Sequence, residues 1–296
     1  MKTLIIYHRV DYDGIFSACI VKKFIPDPNP DLLGYNYGDP ISLDRIMEYE
    51  KIYMVDVSFE PAIMCVLTKR IGLEFTWIDH HITAINNSVT YGYSEAAGIR
   101  GLETSAAEFT WKYLSGGEEV PDIVKYISTY DSWKTDRMCW DDVMAVQYAL
   151  RARYGIKYQS IQTVFEDLCS GRMMPELLGA GRYICQYNKG RWESAVNSFS
   201  FPVTINGRMK GICILGYDYC STVFESVFDK YDLYCVVNRK SESTFSISMY
   251  GLDSKIGDFN CGEYMKANYK GGGHKGAAGG ILNFWQFKKL ITLGVL

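Results

Sequence analysis

Over roughly the first ninety residues, short apolar runs alternate with amphipathic stretches, the βαβ rhythm of a parallel sheet. Residues 3–7, 32–37, 52–57 and 74–79 read as strands, and 89–93 as a short fifth. Between them, 15–24, 43–49 and 61–71 carry helical spacing, the last with Pro61 at its first turn. From Glu103 to about Asn197 the period is helical almost throughout, predicting helices over 104–115, 121–130, 141–153, 159–169 and 175–197. The last is long and polar on one side, as a connector between lobes would be. Past Phe201-Pro202 the pattern shifts again: strands 202–206 and 210–216, helix 222–231, strands 233–239 and 244–250, and helix 257–268. A glycine-rich run, Gly271 to Gly280, follows and leads into a strand. The expectation is an α/β protein with an N-terminal parallel-sheet domain extended by helices (1–198) and a smaller C-terminal α/β domain (203–296) across a cleft.

Composition narrows the class. Hydrophobic residues are 48% and charged residues 22% of the 296, which excludes a disordered chain. The longest apolar runs, such as 212–215, are far too short to cross a bilayer, so no membrane partner is expected. The opening Met-Lys-Thr-Leu-Ile-Ile-Tyr-His reads as a first strand and not as a signal peptide. Nine cysteines without a Cys-x-x-Cys pair fit neither a disulfide framework nor a zinc ribbon, and reduced thiols in a cytoplasm are expected. The net charge of −3 divides unevenly. Residues 203–296 hold 11 Lys/Arg against 8 Asp/Glu, and residues 1–202 hold 20 against 26. An acidic lobe joined to a mildly basic one suggests that one binds cations and the other an anion.

The chain has four histidines, His8, His80, His81 and His274. Each stands at a strand end or in a glycine-rich turn, beside carboxylates or glycines. In Tyr7-His8-Arg9-Val10-Asp11-Tyr12-Asp13-Gly14, two carboxylates crowd the carboxyl end of the first strand, where open α/β sheets place their sites. Asp56 ends the third strand and Asp79-His80-His81 the fourth, so these groups converge on one crevice. Such a set repels itself unless cations hold it together. Mixed His and Asp ligands suit Mn²⁺, Fe²⁺, Co²⁺ or Zn²⁺, and the excess of carboxylates favours Mn²⁺ or Mg²⁺. Asp131, taken alone, reads more readily as a helix cap or a solvated charge.

In this order and spacing, His8-x-x-Asp11-x-Asp13-Gly14, Asp56, Asp79-His80-His81 and Asp131 resemble the four phosphoesterase motifs of the DHH superfamily. Gly271-Gly-Gly-His274-x-x-Ala-Ala-Gly279 resembles the glycine-rich signature of the associated C-terminal domain. The likeness covers nearly the whole chain and is nearest to the small two-domain members, the oligoribonucleases (nanoRNases), phosphoadenosine-phosphate phosphatases and cyclic-dinucleotide phosphodiesterases. Two departures stand out. In many relatives the first aspartate comes four positions after the first histidine, whereas here the step is three. Relatives also often carry an arginine in the strand before the glycine motif; Ser246–Tyr250 has none, which leaves Tyr250 or Arg239 to contact substrate.

The resemblance implies hydrolysis of phosphoester bonds in short oligonucleotides or nucleotides, through water activated by two divalent cations, with Mn²⁺ first and Mg²⁺ or Co²⁺ as alternatives. One cation would be held by His8, Asp11 and Asp56. The other would be held by Asp13, Asp56, His80 and Asp131, with Asp56 shared. Asp79 would orient an imidazole, and His81 would act on the phosphoryl oxygen or the leaving group. Gly271, Gly272, Gly273, His274 and Lys275, with Lys270, would grip a phosphate. Long duplex nucleic acid is not an expected partner, and a homodimer is left open. Inorganic pyrophosphate or polyphosphate, a cyclic dinucleotide, and non-catalytic nucleotide binding remain the alternatives.

Overall fold

The central strand of the first sheet, β1 (Thr3–His8), is buried along almost its whole length, as a strand covered on both faces must be. A computed structural model describes residues 2–70, 72–216 and 219–296. In chain order β1 is followed by α1 (Tyr12–Phe24), β2 (Asp31–Tyr35), α2 (Leu43–Ile46), β3 (Lys51–Val55), α3 (Pro61–Lys69), β4 (Glu74–Ile78) and α4 (Ile82–Tyr91). The four strands are parallel in the order β2-β1-β3-β4. Side chains alternate across them. Ile5, Tyr7, Val55 and Ile78 join one core with α1 and the later helices, whereas Leu4, Ile6, Met54 and Trp77 join another with Ile46, Met64 and Leu67. Helices α5 (Ala106–Leu114), α6 (Asp122–Asp131), α7 (Trp140–Tyr154), α8 (Tyr158–Gln162) and α9 (Phe165–Cys169) complete the first of these cores.

The long helix α10 (Met174–Phe199) leads into a second sheet. Its strands are β5 (Ser200–Ile205), β6 (Met209–Leu215), β7 (Leu233–Arg239), β8 (Thr244–Gly251), β9 (Gly272–Gly273) and β10 (Ala277–Asn283), ordered β5-β6-β7-β8-β10-β9. Only β6 and β7 run parallel. Cys213, Cys235, Ile247 and Met249 face a core shared with α12 (Cys261–Tyr269) and α13 (Phe284–Leu293). Ile212, Ile214, Tyr234 and Val236 face another, with Ala195 and Val196 of α10 and the 3₁₀ turn Ser221–Val227. By contacts the chain divides into two units, Met1–Cys185 and Gln186–Leu296, within α10. Among the described residues no helix is long and apolar enough to cross a membrane.

Several elements differ from the sequence pattern for local reasons. Residues 89–91 are not a strand but the last turn of α4, closed by Gly92 at φ 73 with its N–H on Ser88 O. Val89 lies on the exposed side of that helix, so its β-branching is not put to use in a sheet. Helix 159–169 is broken into α8 and α9 at Thr163–Val164. Helix 257–268 is shorter at its start, because Gly257 at φ 54 ends α11 (Asp253–Ile256) and Asn260 caps α12 by accepting from Glu263 N. Helix 222–231 is the 3₁₀ turn. Ile71, at the end of helix 61–71, lies outside the described residues. The pattern also gave no sign of α13, which starts at a capping box between Asn283 and Gln286.

Candidate metal centre

Strand register builds the site. Tyr7 pairs with Val55, and Val55 with Ile78, so the next residue on each strand, His8, Asp56 and Asp79, emerges at the same carboxyl edge. Asp11 then caps α1, its Oδ1 accepting from Gly14 N at 2.9 Å. Gly14 itself is required, because a Cβ there would lie 2.1 Å from the His8 carbonyl oxygen. The helix therefore starts hard against the strand end, which brings Asp13 under the edge.

Three groups of ligand atoms lie mutually within 4.8 Å: His8, Asp11 and Asp56; Asp13, His80 and Asp131; and Asp56, His80 and His81. His8 Nδ1 is 2.6 Å from Asp11 Oδ2 and 3.6 Å from Asp56 Oδ2. His80 Nε2 is 3.0 Å from Asp131 Oδ2, 3.3 Å from Asp56 Oδ1 and 3.8 Å from Asp13 Oδ2. Yet His8 Nδ1, His80 Nε2 and both Asp56 oxygens are buried without a hydrogen bond of acceptable geometry. They approach one another without pointing at one another. Buried polar atoms ordinarily find partners, and such convergence is what a cation demands of its donors.

Electrostatics agree. Burial pushes the Asp56 carboxyl up, and the Asp11 charge adds to it. Burial likewise raises Asp13 well above the carboxylate range, with Asp56 and Asp131 adding repulsion. For His8, burial opposes protonation, but Asp11 and Asp56 outweigh it and push the imidazole up to about 11. His80 is pushed to about 12 in the same contest, chiefly by Asp131 and Asp56. Divalent cations would neutralise such a set, and four carboxylates with two imidazoles match Mn²⁺, Mg²⁺ or Co²⁺.

Neighbouring groups fix these donors. His8 Nε2 meets Asn36 Oδ1 at 3.2 Å, which directs Nδ1 inward, as outer hydrogen bonds do for metal-binding imidazoles. Asp56 sits at φ 60, a left-handed conformation that costs roughly 1–2 kcal/mol for most residues but less for aspartate. Asp13 is held from far along the chain, accepting from Ala106 N at 2.9 Å, Ala107 N at 3.0 Å and Ser105 Oγ. Ser105 meets Ser128 at 2.6 Å, Ser128 meets Thr104 at 3.1 Å, and Thr104 donates to Glu108 at 2.8 Å. Glu108 receives both guanidinium arms of Arg137, at 2.6 and 2.9 Å.

Asp79 is fully buried and fully engaged. Its Oδ1 accepts from His80 N at 2.7 Å and His81 N at 3.1 Å and meets His81 Nδ1 at 2.7 Å; Oδ2 accepts from Trp77 Nε1 at 3.2 Å. Burial would raise its carboxyl, but the His81 hydrogen bond and charge hold it below the usual range. His81 Nδ1 is thus occupied by Asp79, which removes it as a donor to the Asp56–His80 pair.

Sequence reasoning passed over Asn36, Tyr37, Ser105, Ser128, Glu108 and Arg137. Tyr37 is 50% exposed, with its ring centroid 5.8 Å from His8 and 6.2 Å from His81. The spacing Ser105-Ala-Ala-Glu108 was the available signal, since it matches a capping box. The structure uses it differently: Ser105 turns to Asp13 and leaves Asp13 to cap α5.

In the second unit, Tyr250 pairs with Ala277 and Gly251 N donates to Gly276 O at 2.9 Å, so Tyr250 stands beside the glycine-rich turn. His274 and Lys275 are exposed in that turn. Gly271 N donates to Met265 O at 3.1 Å and His274 N to Ala277 O at 2.7 Å, so these two N–H groups already have partners. A Cβ on Gly271 would meet Gly279 O at 1.9 Å, which makes that glycine a packing requirement. Gly272 and Gly273 form β9 against β10. Arg239 pairs with Phe245, at the opposite end of β8 from Tyr250, roughly 17 Å away along the strand. Its Nε donates to Ser241 O. The structure therefore groups Tyr250, not Arg239, with the turn.

Neither a protein-family model nor a curated protein matches the sequence. Solved structures do resemble this one. A pGpG-specific phosphodiesterase of Vibrio cholerae, PggH, has a TM-score of 0.59 at 13% identity, over 99% of this chain and 97% of that one. The DHH domain of a member of a ribosomal-protein family gives 0.58 at 14%, over 99% and 84%. Exonuclease RecJ bound to manganese gives 0.50 at 13%, over 98% and 88%. The fold is that of DHH-domain proteins, an α/β architecture with a parallel four-stranded sheet and a second, mixed sheet.

Proposed function

We propose that this protein is a metal-dependent phosphoesterase that hydrolyses short oligonucleotides or nucleotides, in the manner of the oligoribonuclease and phosphoadenosine-phosphate phosphatase group. The observation that carries this reading is the convergence of His8, Asp11, Asp13, Asp56, His80 and Asp131, with four buried donor atoms lacking hydrogen bonds. His8, Asp11 and Asp56 would hold one divalent cation, and Asp13, Asp56, His80 and Asp131 the other. Mn²⁺ is the first choice, given the donor set and the manganese in the RecJ structure. Two such ions would neutralise phosphoryl oxygens and supply an activated water.

The chain's own groups would do the rest. His81, with Nδ1 held by Asp79, presents Nε2 to hydrogen-bond a phosphoryl oxygen or protonate the leaving oxygen. The exposed His274 and Lys275, with Lys270, Gly272 and Gly273, would bind a further phosphate of the substrate, and Tyr250 would flank it. A purely inorganic substrate calls for clustered Lys and Arg. Here the half-exposed neighbour of His8 and His81 is Tyr37, which favours a nucleotide.

The test is a substrate panel at fixed Mn²⁺ comparing dinucleotides, longer oligoribonucleotides, 3′-phosphoadenosine 5′-phosphate, cyclic dinucleotides, pyrophosphate and polyphosphate. The expected result is fastest turnover on the shortest linear nucleotides. Turnover confined to pyrophosphate or polyphosphate, or no metal-dependent turnover at all, would overturn it.

A further inference from the structure

Helix α6 ends in a turn that ordinarily calls for glycine and here holds tryptophan. Lys134 N donates to Thr129 O and Trp133 N to Tyr130 O, each at 3.2 Å. This paired closure is a Schellman turn, in which the residue after the cap is left-handed. Trp133 occupies that position at φ 54. Large side chains are true outliers there, and such strain persists where the side chain serves something beyond folding.

The indole does little for folding. It is 52% exposed, supported edge-on by Trp140 with centroids 4.8 Å apart and touched by Tyr130 at 6.1 Å. Trp140 in turn lies parallel to the Tyr130 ring. The result is a braced aromatic surface with its other side open. It stands two residues from Asp131, whose Oδ2 is 3.0 Å from His80 Nε2, and two residues of chain span at most about 7 Å. A stiffly mounted, half-exposed ring two residues along the chain from a centre for phosphoesters suits one ligand class best, a planar base carried by the same phosphate.

We propose that Trp133 is a specificity-determining residue, a stacking platform for the nucleobase next to the phosphate under attack; this rests on the phosphoesterase reading above. Stacking on an aromatic side chain tolerates any base, because every base has a π-face. Trp133 therefore selects nucleotides over base-free phosphoesters without selecting among bases.

The experiment compares wild type, Trp133→Gly and Trp133→Phe at fixed Mn²⁺, on the dinucleotide pApA and on an abasic dinucleotide of the same backbone. AMP affinity is measured alongside by calorimetry. Glycine suits the left-handed turn, so Trp133→Gly is expected to melt no lower than wild type. Its KM for pApA is expected to rise about tenfold to a hundredfold, the range for loss of one stacked base. That penalty should exceed the penalty on the abasic substrate at least several-fold, AMP affinity should fall by a similar factor, and Trp133→Phe should recover most of both. Equal penalties on the two substrates, or unchanged AMP affinity in Trp133→Gly, would overturn the proposal. If wild type cleaves neither dinucleotide, the phosphoesterase reading falls. The AMP titration then decides alone: a matching loss in Trp133→Gly supports stacking, and none refutes it.

Discussion

At the end of β3, Asp56 is 1% exposed, left-handed, and has neither carboxylate oxygen in a hydrogen bond. At the start of β9, the N–H groups of Gly271 and His274 are both bonded within the fold, and the side chains of His274 and Lys275 lie open. The first region is arranged against its own stability. The second is arranged in its favour. Where a buried cluster is left electrostatically frustrated, the whole cluster reports a role outside folding. Where a loop is satisfied internally, its exposed side chains do, and packing already explains Gly271 and Gly273.

The sharpest way to break this contrast is Asp56→Asn. Asparagine tolerates the left-handed backbone, so the strand end keeps its shape while the shared charge is lost. Activity should be abolished and metal content should fall. The metal-free variant should also melt higher than metal-free wild type, because the repulsion with Asp11 and Asp13 is relieved. Wild-type turnover with unchanged metal content would remove Asp56 from the site.

His81→Ala should come next in size, lowering kcat by about 10²–10⁴-fold, the usual weight of a general acid or base. Metal content should stay at the wild-type level, since His81 Nδ1 belongs to Asp79. A parallel loss of metal would make His81 a ligand instead.

The second region should yield less. His274→Ala should cost about tenfold to a hundredfold in kcat/KM on phosphorylated nucleotides, as for one charge-assisted hydrogen bond. The loss on bis-p-nitrophenyl phosphate, which lacks a second phosphate, should be much smaller. Equal losses on both would move His274 to the reacting centre.

Glu108 supplies the control, a buried carboxylate near the cluster that is fully paired. Burial would raise it, but Arg137, Lys112 and Thr104 hold it down to about 2 from an ordinary 4.5. A lowered folded-state pKa gives stability that is complete above about pH 4.5 and lost as pH falls through 2. Glu108→Gln should therefore be less stable than wild type by about 1–3 kcal/mol at pH 7. Urea melts should show that gap closing between pH 4.5 and 2. A gap independent of pH would mean that the pair does not set the stability.

Much of the first sheet was legible because its strands are largely apolar and three of the four, β1, β3 and β4, run into a histidine or carboxylate. That pattern located His8, Asp56 and Asp79 at one edge before any register was known. Asp131 read as ambiguous because its meaning lies in its distance to His80, which no local spacing encodes. The Asp13–Ser105 hydrogen bond spans 92 positions, and Asn36 and Tyr37 read as the end of strand 32–37, whereas β2 stops at Tyr35 and leaves both beyond it. In the second unit, Arg239 and Tyr250 looked interchangeable on paper. The antiparallel β7–β8 pairing sets them at opposite ends.

The hold of Ser105, Ala106 and Ala107 on Asp13 has a consequence in time. As the chain is made, His8, Asp11, Asp56 and His80 can gather once the four parallel strands pair. Asp13 stays unanchored until α5 has emerged, and Asp131 arrives only with the end of α6. Contacts this distant in sequence form late and slowly. The nascent protein would therefore pass through a stage with half of the cluster assembled, and the donor set would be completed only when the helical half docks. On the proposed assignment the site of His8, Asp11 and Asp56 would be complete first, and the second ion would be taken up only after Asp13 and Asp131 have joined His80.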